Sequence, residues 1–249
     1  YGPRDLLPTL LSIYKQSYTN FECIIVDDGS LYEYYSNLRQ IVASLDNRFK
    51  VIRYSVNRGA GYARQQGINS STGRIIFFID SDDFWLENYL DKVIRIHRDY
   101  PNHPIVSTSH NYSGIKNSTK VNNRSSIVIY NAYQLVIRHR MSTPSTSIKR
   151  AYLKYEFSNG MIYSEDLLFF FSNLIVSKKP YLIYCNIPLV VLNRSPGSIG
   201  GLSSSRSQMY SSAAYVYMKL IGLVPLRYQL LSLLLFIKSV YCKFRSMKS

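Results

Sequence analysis

Apolar and polar residues form short alternating blocks along the first hundred residues of the chain. Mostly apolar blocks at 21–26, 50–55 and 74–79 predict strands, and the more polar segments at 32–45 and 60–69 predict helices between them. Strands that take turns with helices predict a parallel sheet with helices on its faces. A further amphipathic helix is predicted before the first strand, from the spacing of Leu6, Leu7, Leu10, Leu11, Ile13 and Tyr14.

The pattern changes twice further along the chain. After residue 100 it is less regular, with strands predicted at 105–109, 126–129 and 146–149 and a helix at 165–177. In the last forty residues, apolar positions return to helical spacing and have basic residues beside them. The apolar positions are Leu226, Leu230, Leu233, Leu234, Ile237, Val240, Tyr241 and Phe244, and the basic ones are Arg227, Lys238, Lys243 and Arg245.

These patterns predict the fold class and three regions of the chain. We expect an α/β fold with a Rossmann-like sheet, mixed but mainly parallel, that is flanked by helices and followed by a C-terminal helical extension. Residues 1–100 and 101–205 form the two halves of one domain, and 206–249 form a basic amphipathic tail.

The composition is typical of a globular protein, and the net charge predicts an anionic binding partner. The 249 residues are 46% hydrophobic, enough for one large domain with a substantial core. The net charge of +15 suits nucleic acid, an acidic membrane surface or a phosphorylated substrate, and charge alone does not choose among them. Twelve of the fifteen acids lie in the first 99 residues, so Glu156, Glu165 and Asp166 stand out in the second half.

Cysteine usage and the apolar runs bear on the cellular compartment. Cys23, Cys185 and Cys242 are far apart, without metal-ligand spacing or a disulfide framework, which favours a reducing cytoplasm. The longest nearly apolar run, 230–237, is well short of the roughly 20 residues that cross a bilayer. The chain opens at Tyr1 with neither an initiator Met nor a signal-peptide pattern, so we expect a fragment of a cytoplasmic protein.

Carboxylates gather where two of the predicted strands end. Asp80-Ser81-Asp82-Asp83 directly follows the strand at 74–79, and Asp27-Asp28 follows the strand at 21–26. Ligands collect at the carboxyl ends of parallel strands, and clustered carboxylates suit Mg²⁺ or Mn²⁺ together with substrate phosphates. The alternative is that Ser81 or Asp82 caps a helix that starts near Trp85.

The order and spacing of these motifs resemble family 2 glycosyltransferases, which have the GT-A fold. Residues 24–30, Ile-Ile-Val-Asp-Asp-Gly-Ser, match the V-D-D-G-S motif of that family. Residues 57–64, Asn-Arg-Gly-Ala-Gly-Tyr-Ala-Arg, continue through Gly67 and Thr72-Gly73 to the D-x-D-D motif at 80–83. The resemblance is close over 1–100 and looser over 140–200, and it implies an inverting, metal-dependent transferase.

The resemblance also implies roles for individual residues. Asp27 would contact the base of the nucleotide with Asp28 beside it, and Arg64 would approach the base or the diphosphate. Asp80 and Ser81 would bind the donor, and Asp82 with Asp80 would hold Mn²⁺ or Mg²⁺. Taken singly, Asp28-Gly29-Ser30 could be a plain turn and Arg64 a solvated helix residue.

Two features of the second half match the family less closely. Glu165-Asp166 resembles its E-D motif, in which Asp166 would be the general base; the alternative is charge complementing a helix N-terminus. Arg194 begins an R-x-x-G-S stretch that closes over the diphosphate in relatives, although Ser-Pro-Gly is also ordinary turn chemistry. The segment 141–149 lacks the Trp-x-K pattern expected of the acceptor region.

The start of the chain also departs from the family. The first strand of the family's fold is missing from this sequence except for Tyr1. Tyr1 would line the pocket for the nucleotide base, and Gly2 replaces the usual Asn.

We therefore predict that 1–100 binds a nucleotide-sugar, that 101–205 binds a glycan or lipid-linked acceptor, and that nucleic acid is not a partner. The tail at 206–249 predicts either peripheral contact with the anionic inner face of a cell membrane or a helix packed on the domain. A nucleotidyltransferase and a non-enzymatic nucleic-acid-binding module are the alternatives. A dinucleotide-dependent oxidoreductase is excluded because Arg64 occupies the third glycine position of its fingerprint.

Overall fold

A computed structural model describes residues 6–114, 126–132, 134–135, 140–194, 206–223 and 226–246. Its first half contains helices α1 (Leu6–Tyr14), α2 (Tyr32–Ala43), α3 (Ala60–Ser70) and α4 (Tyr89–Asp99). The strands of this half are β1 (Cys23–Asp28), β2 (Phe49–Tyr54), β3 (Ile75–Phe77) and β4 (Phe84–Trp85). The predicted order of elements up to residue 79 is confirmed, with boundaries that differ by at most two residues.

The second half adds four strands and three helices among the described residues. The strands are β5 (Ile105–Tyr112), β6 (Ile127–Asn131), β7 (Thr146–Lys149) and β8 (Tyr181–Leu192). The helices are α5 (Glu165–Ile175), α6 (Arg206–Leu223) and α7 (Leu226–Ser246), and 3-10 turns lie at Thr143–Ser145 and Arg150–Tyr152. The predicted strands and helix of this half are confirmed, and the predicted tail consists of two helices.

The strands form two hydrogen-bonded groups. β1 and β2 pair in parallel, while the other six follow the order β3-β7-β5-β8-β4, with β6 also paired to β8. Within this larger group β5 and β8 run parallel, and the remaining described pairs are antiparallel. The predicted mixed α/β fold is confirmed. The described sheets contain more antiparallel than parallel pairs, because β4, β6 and β7 run against the direction of β3, β5 and β8.

The larger sheet separates two hydrophobic cores. Neighbouring residues of one strand point to opposite faces, so Ile105 packs in one core and Val106 in the other, as do Leu182 and Ile183. The first core includes the fully buried aromatic run of α5, Phe169 to Phe171. This double-sided burial fixes the strand ends that carry the polar residues.

The prediction of a helix starting near Trp85 is wrong. Phe84 and Trp85 instead pair with β8, and α4 begins at Tyr89. The Trp85 indole N–H donates to the Pro144 carbonyl at 2.8 Å, and its ring stacks on Tyr89. These contacts hold the segment extended, so Ser81 and Asp82 do not cap a helix there.

The two tail helices pack against each other and against the domain. Val216, Tyr217 and Leu220 of α6 are buried in the same core as α5, and Leu235 and Phe236 of α7 pack at its edge. Among the described residues, no helix is both long enough and apolar enough to cross a bilayer.

Candidate active site

Two aspartates end strand β1 and shape the turn that follows it. The buried Asp27 carboxylate accepts a hydrogen bond from the Ser30 backbone N–H at 3.4 Å and lies 3.2 Å from Arg53 Nε. The Asp28 carboxylate accepts the backbone N–H groups of Arg58 and Gly59 at 2.7 and 2.8 Å. Because Gly59 directly precedes α3, Asp28 anchors the start of that helix to the end of β1.

Gly29 is needed where this turn meets the segment before α3. Its φ of +74° lies in the left-handed region, and a Cβ at this position would stand 2.6 Å from the backbone nitrogen of Asn57. The Asn57 side chain in turn donates to the Asp28 carbonyl at 3.1 Å. The V-D-D-G-S motif and the N-R-G motif therefore pack directly on each other.

Arg64 joins the two halves of the domain. Its Nη2 donates to Asp80 Oδ1 at 2.7 Å and its Nη1 to Glu165 Oε1 at 2.6 Å. Gly61, one turn earlier in α3, leaves room for this contact, since a Cβ there would lie 3.1 Å from Glu165 Cγ. Asp80, after β3, and Glu165, at the start of α5, thus share one cation, although Arg64 and Glu165 are 101 positions apart in sequence.

The Asp80 to Asp83 segment is a turn held from three sides. The Thr9 hydroxyl of α1 contacts the carbonyls of Ser81 and Asp83 at 3.0 and 2.7 Å. Asp83 is buried and accepts the Asn193 backbone N–H at 2.8 Å, which fixes the segment after β8. Asp82 Oδ2 lies 3.1 Å from Arg194 Nε. The turn therefore presents Asp82 toward a basic residue carried just past the end of β8, the strand that pairs with β4.

Asp166 is oriented by its neighbours at the start of α5. Its Oδ2 accepts the Thr143 hydroxyl at 2.8 Å, and its Oδ1 accepts the Leu167 backbone N–H at 2.7 Å. Ser164, just before the acidic pair, has a φ of 57°, the one positive value among the described non-glycine residues. Such a backbone conformation is uncommon outside glycine, and it sets the direction in which α5 begins.

The charges of this cluster perturb one another. Burial by itself lowers the pKa of Arg64, yet the carboxylates of Asp80, Glu165 and Asp166 outweigh it and raise that pKa above its ordinary value. Burial, and then the charge of Asp166, raises the pKa of Glu165. Burial also raises the pKa of Asp83 to about 7, with Asp80 and Asp82 adding to the effect. The cluster is therefore crowded with negative charge that a cation would relieve.

The predicted metal ligands are the carboxylates of Asp80 and Asp82. No group of three His, Cys, Asp or Glu residues with metal-site geometry occurs in the described part of the chain. Mg²⁺ usually takes one or two carboxylates and completes its shell with phosphate oxygens and water. Asp80 and Asp82 supply hard oxygen donors of that kind, and the Asp82 side chain is 23% exposed.

The structure brings most of the predicted site residues together. Arg64, Asp80, Glu165 and Asp166 form one cluster, Asp82 and Arg194 form a pair beside it, and Asp28 holds the helix that carries Arg64. Ser81 contributes its backbone, Asp27 is paired with Arg53, and Tyr1 lies outside the described residues. The roles assigned to these residues stay predictions.

Sequence reasoning missed the residues that hold the predicted ones. They are Thr9, Arg53, Thr143 and Asn193, each of which contacts its partners from more than 20 positions away in sequence through hydrogen bonds or an ion pair. None of them stands in a recognisable motif, so no local signal points to them.

A separate cavity lies at the other end of β3. It has a volume of about 580 Å³ and a mostly apolar lining. None of the predicted site residues borders it; its lining is Thr72, Arg74, Ile75, Ile94, His97, Arg98, Lys149, Arg150 and Ala151.

Comparisons with known proteins agree with the motifs. Residues 3–160 match the family model described as glycosyl transferase family 2. The UDP-Glc:alpha-D-GlcNAc-diphosphoundecaprenol beta-1,3-glucosyltransferase WfgD of Escherichia coli is 34% identical over 89 residues, which are 35% of this chain and 34% of WfgD. The glycosyltransferase GlyG of Streptococcus pneumoniae is 32% identical over 103 residues, 40% of this chain and 33% of GlyG. The chain therefore spans about a third of the length of these relatives.

Solved structures share the fold. S. aureus TarS 1-349 in complex with UDP-GlcNAc superposes with a TM-score of 0.73 at 15% identity, covering 98% of this chain and 70% of that one. Mannosyltransferase PcManGT from Pyrobaculum calidifontis, in complex with GDP-Man and Mn2+, gives 0.66 at 15% identity and covers 100% and 73%.

Proposed function

The chain belongs to glycosyl transferase family 2, and we propose that it transfers a sugar from a UDP-sugar to a hydroxyl of a glycan or lipid-linked acceptor, with inversion, in the synthesis of a cell-envelope polysaccharide. The observation that carries this proposal is the Arg64 bridge. Arg64 links Asp80, where the sugar donor is proposed to bind, to the Glu165-Asp166 pair, which contains the candidate base. Family membership favours sugar transfer over the nucleotidyltransferase and the nucleic-acid-binding module.

Asp166 is the proposed general base. As the acceptor oxygen attacks C1 of the sugar, its proton passes to the Asp166 carboxylate, and the bond from C1 to the diphosphate oxygen breaks. The Thr143 hydroxyl and the Leu167 N–H hold that carboxylate in one orientation. Fixing the base before the acceptor arrives removes an ordering cost from the reaction.

Glu165 has a different task in this proposal. It is 6% exposed and its Oε1 is paired with Arg64, so it is poorly placed to meet an acceptor hydroxyl. Instead it fixes Arg64, whose other Nη group faces the donor end at Asp80. Of the two predicted catalytic residues, Asp166 is therefore the base and Glu165 the support.

Asp82 and Asp80 would hold Mn²⁺ or Mg²⁺. Such an ion, when bound, supplies positive charge that neutralises the leaving diphosphate. Arg194 now neutralises Asp82 at 3.1 Å. On donor binding its guanidinium would turn to the diphosphate, for which its planar set of N–H donors is well suited.

The choice of donor and acceptor is supported by the named relatives. WfgD uses UDP-Glc and an acceptor attached to diphosphoundecaprenol, and TarS binds UDP-GlcNAc. The Mn²⁺ in the PcManGT complex supports a metal in the same fold. We extend these properties to this chain as the proposal to be tested.

A panel of nucleotide-sugars tests the donor and the metal together. We expect nucleotide release from a UDP-sugar with Mn²⁺ or Mg²⁺ and none after EDTA treatment. Asp82→Asn should lower the rate by roughly 100-fold, as for loss of one preorganised charge contact. The exposed Asp99, at the end of α4, supplies the matched control Asp99→Asn, which should keep the rate.

Two results would argue against this proposal. Unchanged metal-dependent turnover in Asp82→Asn would remove Asp82 from the metal site. Failure to release nucleotide from any sugar donor, with folded protein and metal present, would reject sugar transfer by this chain.

A further inference from the structure

Helix α7 carries an apolar stripe that faces away from the protein. Its members recur at positions that lie within about 100° of one another around a helix of 3.6 residues per turn. They are Leu226 (81% exposed), Leu230 (66%), Leu233 (43%), Leu234 (55%), Ile237 (53%) and Tyr241 (64%). We call these six residues the outer stripe.

The opposite side of α7 already has its packing partners. Ser232 and Ser239 are buried, and Leu235 and Phe236 pack at the edge of the first core. Ser232, Leu235 and Ser239 lie on the face opposite the outer stripe, and Phe236 lies at the flank between the two faces. The helix is therefore apolar on two sides, and core packing accounts for only one of them.

The part of the sequence that carries the outer stripe is positively charged. Residues 167–249 contain ten Lys and Arg and no Asp or Glu. Lys238 is exposed, next in sequence to Ile237 and one turn from Leu234. A surface that is both apolar and positive suits an anionic lipid bilayer, which supplies acyl chains and negative headgroups at one boundary.

We propose that the outer stripe of α7 docks on an anionic bilayer surface, with the helix lying in the plane of the interface. A second copy of this chain is a poorer occupant, because it would bring two positive tails together with no carboxylate to pair them. The stripe from Leu226 to Tyr241 is about 22 Å long, enough for several lipid headgroups. This inference goes beyond sugar transfer and holds whether or not the acceptor is lipid-linked.

Vesicle sedimentation tests the docking. The protein should bind vesicles of mixed phosphatidylcholine and phosphatidylglycerol, and bind pure phosphatidylcholine vesicles much more weakly. Replacing Leu230 and Leu234 together by Ser should lower the partition coefficient roughly tenfold or more, since two leucines leave the bilayer. Leu7 and Leu11 are exposed at the same i, i+4 spacing on α1, so Leu7→Ser with Leu11→Ser is the matched control and should bind normally.

The charge component has its own pair of variants. Lys238→Gln should weaken binding to the anionic vesicles about fivefold at low salt, and added salt should shrink that difference. Lys15→Gln, an exposed lysine at the end of α1, should have no effect.

Three results would overturn the proposal. They are absence of binding to anionic vesicles, equal loss of binding in the α1 control, and dimers in solution that the Leu230/Leu234 variant converts to monomers. Nucleotide release from a soluble donor, measured without vesicles, should survive in that variant. A failure of docking is thereby separated from a failure of sugar transfer.

Discussion

At the scale of single residues, the site depends on shared charges. Arg64 serves Asp80 and Glu165 at once, and losing it would leave Glu165 buried without its cation, a costly arrangement. Thr143 and Asn193 orient the carboxylates: Thr143 donates one hydrogen bond to Asp166, and Asn193 donates one to Asp83. The direction of each proposed reactive group is thus set by a residue outside the motifs.

Thr143 offers the sharpest test of this positioning. Thr143→Val keeps the shape of the side chain but removes the hydroxyl that donates to Asp166, so kcat should fall roughly tenfold, in line with loss of a hydrogen bond to a charged group. The Michaelis constant for the donor should change little, and Thr143→Ser should restore most of the rate. A loss confined to donor binding, or equal loss in the Ser variant, would show that Thr143 only supports the fold.

At the scale of elements, loops from separate parts of the chain lock the strand ends. Glu22, just before β1, accepts the Thr72 backbone N–H and hydroxyl at 2.6 and 2.7 Å. These bonds lower the pKa of Glu22 from 4.5 to about 2. The contact ties the start of β1 to the segment between α3 and β3.

This contact predicts a pH dependence of stability. Because the pKa is lower in the folded chain, the ionised form stabilises the fold above pH 4.5, and that contribution is lost as pH falls from 4.5 toward 2. Glu22→Gln should therefore be less stable than the parent at neutral pH, with a gap that narrows on acidification. Denaturant unfolding at several pH values measures it. A gap that stays constant with pH would assign the loss to something other than the carboxylate charge.

At the scale of the whole molecule, two kinds of feature were open to prediction. Local spacing predicted most of the helices and strands, because each buries one face at its own period, but it missed α4 and β8. The same pattern placed Asp27, Asp28 and Asp80 to Asp83 at strand ends, and the family motifs suggested their roles. The Phe84–Trp85 strand was missed, since pairing with β8 more than 100 positions away outweighs the local preference. The salt bridge between Arg64 and Glu165 could not be predicted from the sequence either, because it forms only when the two halves fold together.

The strand order also lay beyond sequence reasoning. The β5 and β8 pairing joins Ile105 to Leu182 and the residues that follow, with a register shift around Ser109. Nothing in the sequence of either strand specifies the other as its partner. The packing of α5 on one face and of α1 and α4 on the other selects the arrangement.

The central claim is that Asp166 takes the acceptor proton in a site assembled around Arg64. Its most direct test is the turnover of Asp166→Asn beside calorimetric binding of the UDP-sugar, with Glu156→Gln, an exposed acid of the same half, as control. We expect kcat to fall about 1,000-fold, within the range for loss of a general base, while donor affinity and the control stay unchanged. Full turnover in Asp166→Asn, or a loss of donor affinity as large as the loss of rate, would contradict the account.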